Sequence, residues 1–180
     1  MRESREDRVV VGVSGSLGSL AALHRAVEEA RRRSAALTVV IAWETVGVDL
    51  GSGRPPSPPL LDRWHSLARR QLFAALDTAF GGSIPLDPQL RPVIALGMPG
   101  PTLVRVADQE SDLLVVGTGS HGLLRRLLSP SVARHCLDHA RCPVLAVPPP
   151  PLMSELVEAE RRGGRARLGL GRGPHDSFMP

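Results

Sequence analysis

The sequence predicts an α/β fold: an open, mainly parallel sheet of five strands, doubly wound in an order such as 3-2-1-4-5, with helices on both faces. Three observations predict it. Short runs of Val, Ile and Leu alternate with stretches of three- and four-residue apolar spacing, the rhythm of strand, crossover helix, strand. Apolar residues make up 42 % of the 180 positions and aromatics only 3 %, so the core has to be aliphatic, as in parallel strands buried on both faces. Glycine and serine gather where strands give way to helices, which is where such sheets carry ligands. Right-handed crossovers then leave few possible windings.

Each element has its own signal. Val9-Val10-Val11-Gly12-Val13 is a buried strand, followed by a Ser/Gly turn over residues 14–19. Leu20, Leu23, Val27 and Ala30 recur on one face of a helix that ends near Ser34. Residues 37–43 form the second strand. Residues 45–59 are rich in Gly and Pro, and a surface loop is predicted there, because proline removes a donor and clashes with the preceding turn. Helical spacing returns over residues 60–80, with Leu61, Trp64, Leu67, Ala68, Leu72 and Ala75 along one side and Gly81-Gly82 as the stop. Residues 90–96 are the third strand, and Pro92 places its beginning at a sheet edge. A helix over 99–109, a strand over 113–116, a helix over 131–140 and a last strand from Val144 to Val147 complete the order.

The domain therefore runs over residues 8–148. Beyond it, residues 149–180 begin with a proline run and continue Gly/Arg-rich without an apolar period, apart from Leu156, Val157 and Ala159; a disordered, solvated tail is predicted. No apolar run approaches the roughly 18–20 residues of a membrane span, and the charged start leads straight into a strand, so no signal peptide is expected and the predicted location is cytoplasmic. The formal charge is +4 and every basic residue is Arg; the densest cluster, Arg31-Arg32-Arg33, follows Glu28 and Glu29 and reads as a solvated helix face, so no nucleic-acid partner is expected. Cys136 and Cys142 lack the paired spacing and the number of ligands of a zinc site, and are predicted to be reduced thiols.

Chemistry in this architecture belongs to the crevice outside the carboxyl ends of strands 1 and 4, where the strand order reverses. Two small-residue loops fall there. The first, from Gly12 through Ser14 and Ser16 to Ser19, lets backbone approach an anion at a helix N-terminus, although it lacks the lysine of a Walker loop and a serine-capped turn accounts for the same residues. The second, Gly117-Thr118-Gly119-Ser120-His121-Gly122, leads to Pro130, Ser131 and Val132, with proline in the first turn and a serine as cap. His121 is read as an exposed loop histidine, with contact to a phosphate as the alternative. His24, His65, His135 and His139 fall in helical patterns without mutual ligand spacing and are read as surface or packing residues, and Asp112 as a cap or turn before strand 4. No nucleophile–base constellation with a recognisable elbow is present, so no catalytic residue and no metal site is assigned.

Val9 to Ser16 followed by Ser19-Leu20-Ala21-Ala22-Leu23, then Gly97-Met98-Pro99, Ser111 to Gly117, and Ser131-Val132 with His139 to Val147, resemble the successive blocks of universal stress proteins, in order and spacing. The resemblance implies a Rossmann-like, adenine nucleotide alpha hydrolase-like fold and a homodimer paired through the last strand, Val144 to Val147. It implies a nucleotide crevice whose positions here are Gly12, Ser14, Ser16 and Ala42 on the first two strands and their loop. On the second loop they are Gly117, Ser120, His121, Gly122, Ser131 and Val132. Against the family's nucleotide-binding pattern of Gly, two residues, Gly, nine residues, Gly, then Ser or Thr, this chain keeps Gly117 and Ser131 but has Ser120 and Pro130 at the other glycines. It has Ser14 where ATP-binding members commonly carry an acid. Proline offers no N–H, and each lost bond to a charged group costs roughly 1.5–3 kcal/mol. The expected function is a non-enzymatic stress-response or signalling dimer, with an unknown protein partner and weak or absent ATP binding. The alternative is an ATP- or AMP-binding switch with slow hydrolysis. An adenylating enzyme is disfavoured, because Gly18 stands where that phosphate loop has Asp.

Overall fold

The computed structural model describes residues 7–44, 57–83, 85–118 and 131–150. Among them, β1 (Arg8–Gly12), α1 (Leu17–Arg33), β2 (Ala36–Trp43), α2 (Pro58–Phe80), β3 (Leu90–Leu96), α3 (Pro99–Val106), β4 (Leu113–Gly117), α4 (Val132–His139) and β5 (Val144–Val147) follow in that order. The sheet order is β3-β2-β1-β4-β5, all parallel, as predicted. The whole sheet lies in one unit of the chain, Met1–Pro149. The predicted tail falls, beyond Pro150, outside the described residues.

Alternation along the strands builds two separate aliphatic layers. Val9 and Val11, with Leu37, Val39, Ile41 and Val115, face α1 and α2 and pack on Leu23, Ala26, Val27, Leu72 and Leu76. Val10, Val40, Leu114 and Val116 face α3 and α4, against Leu103, Ala107, Ala133 and Cys136. Both thiols are buried and free; burial pushes Cys136 up to about 11, and it raises Cys142 as well.

The structure differs from the sequence expectations at particular points. Pro58 and Pro59 belong to the first turn of α2 and not to a loop, since the first amides of a helix need no intrahelical acceptor and a fixed φ suits them; residues 45–56 of the expected loop lie outside the described residues. On α2 the buried line is Ala68, Leu72, Ala75 and Leu76, while Leu67, one position round the helix, is 46 % exposed. The third helix ends at Val106 and not at Gln109, because the Gln109 amide turns to the Asp112 carboxylate and the Asp112 amide to the Gln109 carbonyl. Pro92 does sit on an edge strand, in register with Val39.

Asp112 does more than shape that turn. It is 0 % exposed, and its two oxygens accept from Nε and Nη2 of Arg8 at 2.9 and 2.7 Å. The same guanidinium reaches the exposed Asp108 at 2.8 Å. The Asp112 bond raises the Arg8 pKa above its already high value. This fork ties the entry of β1 to the entry of β4, its neighbour in the sheet.

Candidate functional site

The crevice opens where β1 lies between β2 and β4, with crossovers leaving in opposite directions. Gly12, at the end of β1, has no room for a side chain: a Cβ there would stand 2.6 Å from Leu103 of α3. Val13 extends the ladder by donating its amide to the Val40 carbonyl at 2.9 Å. Gly15, with φ of +75°, then turns the chain into α1.

The serines of this turn are bonded chiefly to one another. Ser16 is the N-cap of α1: its Oγ accepts from the Ser19 amide at 3.3 Å, and its carbonyl accepts from the Ser19 hydroxyl at 2.8 Å. Ser14 donates its amide to the Ser19 Oγ at 3.1 Å, its carbonyl accepts from the Gln71 side chain of α2 at 2.9 Å, and its hydroxyl lies 3.0 Å from that of Ser16. The amides of Leu17 and Gly18, in the first turn of a 17-residue helix, have no intrahelical acceptor and give this corner the positive end of the dipole. Residues 12–19 carry no ionisable side chain, so that dipole and the hydroxyls make up the corner's own attraction for an anion.

Across the crevice, Gly117 closes β4 against the first turn of α1: a Cβ on it would collide with the Gly18 carbonyl. Thr118 continues by donating amide and hydroxyl to the Val147 carbonyl. Ser131 caps α4 by accepting from the Arg134 amide at 3.1 Å, and Val132 is half-buried against the second layer. Ala42 lies near the end of β2, paired with Ala95. The fold thus brings Gly12, Ser14, Ser16 and Gly117 to one end of the two central strands. Ser120, His121, Gly122 and Pro130 lie outside the described residues.

Among the described residues no group of three or more His, Cys, Asp or Glu is placed to hold a metal ion, and no helix is long and apolar enough to cross a membrane. Two shallow cavities lie away from the crevice, about 290 Å³ beside His24, Arg31 and Phe80 and about 610 Å³ beside Gln109 and Arg141. The histidines pack as the sequence suggests in part: His24 meets Phe80 edge-on and His65 meets Trp43. His135 and His139, read as lacking ligand spacing, in fact lie four apart on one helix face with their rings stacked.

The block Gly97-Met98-Pro99 is explained by the same geometry. Gly97, with φ of +134°, donates to the Trp43 carbonyl and leaves no space for a Cβ, which would lie 2.9 Å from the Thr102 hydroxyl. Residues 6–148 match the model of the universal stress protein family, across the sheet and both crevice loops. The chain belongs to the universal stress protein family. It is 31 % identical over 146 residues to a universal stress protein of Mycobacterium tuberculosis, covering 79 % of this chain and 48 % of that one. The chain thus spans about half the length of the curated relatives it matches. Among solved structures, it resembles a universal stress protein family member from Burkholderia pseudomallei at 27 % identity, with a TM-score of 0.54 over 82 % of this chain and 99 % of that one. It also resembles a universal stress protein solved in complex with cAMP, at 28 % identity and a TM-score of 0.50 over 82 % and 100 % of the two chains.

Proposed function

We propose that this universal stress protein acts as a non-enzymatic, cytoplasmic stress-response or signalling dimer whose crevice grips ATP weakly or not at all. The observation that carries the reading is Ser14. At the position where an acid would orient a ribose or metal there is a hydroxyl, and its amide, carbonyl and side chain are all engaged within the protein. A ligand has to displace those bonds before it gains its own, and each net exchange is worth only about 0.5–1.5 kcal/mol. Calorimetric titration with Mg-ATP and with AMP tests it: heats that do not saturate at micromolar nucleotide are expected, and a saturable micromolar isotherm overturns the reading.

A second reading, a nucleotide-dependent switch, is favoured by one specific finding: a protein 28 % identical to this chain was solved with cAMP. The first-turn amides of α1, which have no intrahelical acceptor, suit a phosphate in that case. Micromolar binding of AMP or cAMP supports this reading over the first.

The dimer rests on β5. The Leu114 amide bonds the Pro143 carbonyl, and the Thr118 amide bonds the Val147 carbonyl, so Val144 and Ala146 turn their backbone groups away from β4 towards the open edge. Such an edge needs covering, and a second copy across a two-fold axis covers it. Ala146→Pro removes one outward donor at a position where an edge strand tolerates proline. Light scattering should show a dimer for the parent chain and a monomer for the variant; a dimer that survives the substitution is built elsewhere.

A further inference from the structure

The strongest unassigned chemistry lies on α4. His135 and His139 are one helical turn apart, which places them on the same face. Their rings stack with centroids 4.2 Å apart and planes 14° from parallel. The Nδ1 of His139 lies 2.9 Å from the His135 carbonyl oxygen. A carbonyl only accepts, so Nδ1 is the protonated nitrogen, and in the neutral ring the Nε2 lone pair is left free. A histidine whose other nitrogen donates to a backbone carbonyl is the arrangement metal ligands favour, since it fixes the tautomer and raises the basicity of the donor.

The His135 ring lies over Gly100 in the first turn of α3, where a Cβ would stand 2.8 Å from it. The charged groups on this helix are engaged apart from the pair: Arg134 faces Asp138 at 3.8 Å. His135 is half-buried and His139 exposed.

The geometry points to a metal site: His135 and His139 chelate a late first-row transition-metal dication through their two Nε2 atoms. Imidazole is the ligand type that Ni²⁺, Cu²⁺ and Zn²⁺ share. Two protein ligands leave the rest of the coordination shell to water, so the ion is exchangeable and unlike the closed four-ligand structural sites. Closing both lone pairs on one ion takes the His135 ring out of the stack by rotation about χ2, a broad and soft torsion in histidine, while His139 keeps its carbonyl bond.

Calorimetry with NiCl₂ on the untagged, full-length chain tests this. One saturable site per chain is expected, together with a rise in melting temperature, since an ion bound only by the folded helix stabilises it. His139 is exposed, so His139→Ala leaves the metal-free melting transition in place. The same variant should weaken Ni²⁺ binding by about tenfold or more and abolish the melting shift, and His135→Ala should do likewise. His24→Ala and His65→Ala, on α1 and α2, should bind as the parent does. Absence of a saturable isotherm in the parent chain, or His139→Ala binding Ni²⁺ with the parent's affinity, overturns the assignment.

Discussion

Removing the carboxylate of Asp112 should be among the costliest single changes in the chain. Asp112→Ala deletes three hydrogen bonds to a charged group, two from Arg8 and one from the Gln109 amide. Breaking a buried pair by losing one partner costs roughly 3–5 kcal/mol. The Arg8 side chain keeps 23 % exposure and the Asp108 carboxylate, which offsets part of the loss, so Asp112→Ala falls near the lower end, at about 3 kcal/mol. Arg8→Ala leaves a carboxylate of 0 % exposure with, among the described residues, the Gln109 amide as its remaining donor, and should cost about 4 kcal/mol. The double variant removes both charges together, so the sum of the single losses should exceed its loss by about 2–3 kcal/mol. Asp108→Ala serves as an internal contrast: at 66 % exposure its contact with Arg8 should be worth under about 1 kcal/mol. Urea unfolding at neutral pH, followed by far-UV circular dichroism, reads all four. Losses that add to within about 0.5 kcal/mol, or an Asp112→Ala loss below about 1 kcal/mol, would refute a strongly coupled buried pair.

The geometry sets three further outcomes. Gly117→Ala drives a methyl into the Gly18 carbonyl, which is backbone and cannot rotate aside, and should cost about 2 kcal/mol or more in thermal unfolding; an unchanged melting temperature would mean the contact is loose. Ser14→Asp restores an acid to the rim and should tighten Mg-ATP binding by about 10–100-fold in calorimetry, whereas unchanged affinity would show that the missing acid is not what limits the grip. Cys136, raised from 9.0 to about 11 by burial, should resist Ellman's reagent at pH 8 until the chain unfolds. Because its folded pKa is the higher one, its contribution to stability is intact below pH 9 and is lost as pH rises through about 11, a decline of roughly 2–3 kcal/mol that Cys136→Ala should lack.

The strands and their order were legible because parallel strands buried on both faces read as uninterrupted Val, Ile and Leu, and β3 and β5 begin and end where the sequence places them. Helix ends were less legible. Pro58-Pro59 is a breaker or a first turn depending only on whether the residues after it wind into a helix, and Leu67 falls beside Ala68, so hydropathy alone does not decide which of the two faces the sheet. The Arg8–Asp112 pair was invisible, for its members are 104 residues apart and meet only once β1 lies beside β4. At the crevice, the small residues were found, but their reasons were not: Gly12 makes way for Leu103 and Gly117 for the Gly18 backbone. The Ser14–Gln71 bond likewise depends on where α2 lands. The histidine pair carried a visible signal, a four-residue interval within one helix, but not the stacking or the carbonyl bond that gives the interval meaning.

The contact between Gly117 and the Gly18 carbonyl also sets what this scaffold will tolerate as an engineering host. With no side chain as spacer between strand and helix, the floor beneath the crevice has a fixed gauge. Enlarging the cleft for a bulkier guest by substituting Gly117 would lever the first crossover off the sheet. Remodelling has to proceed from the rim, at the exposed Ser14, whose hydroxyl meets the Ser16 side chain and not main chain.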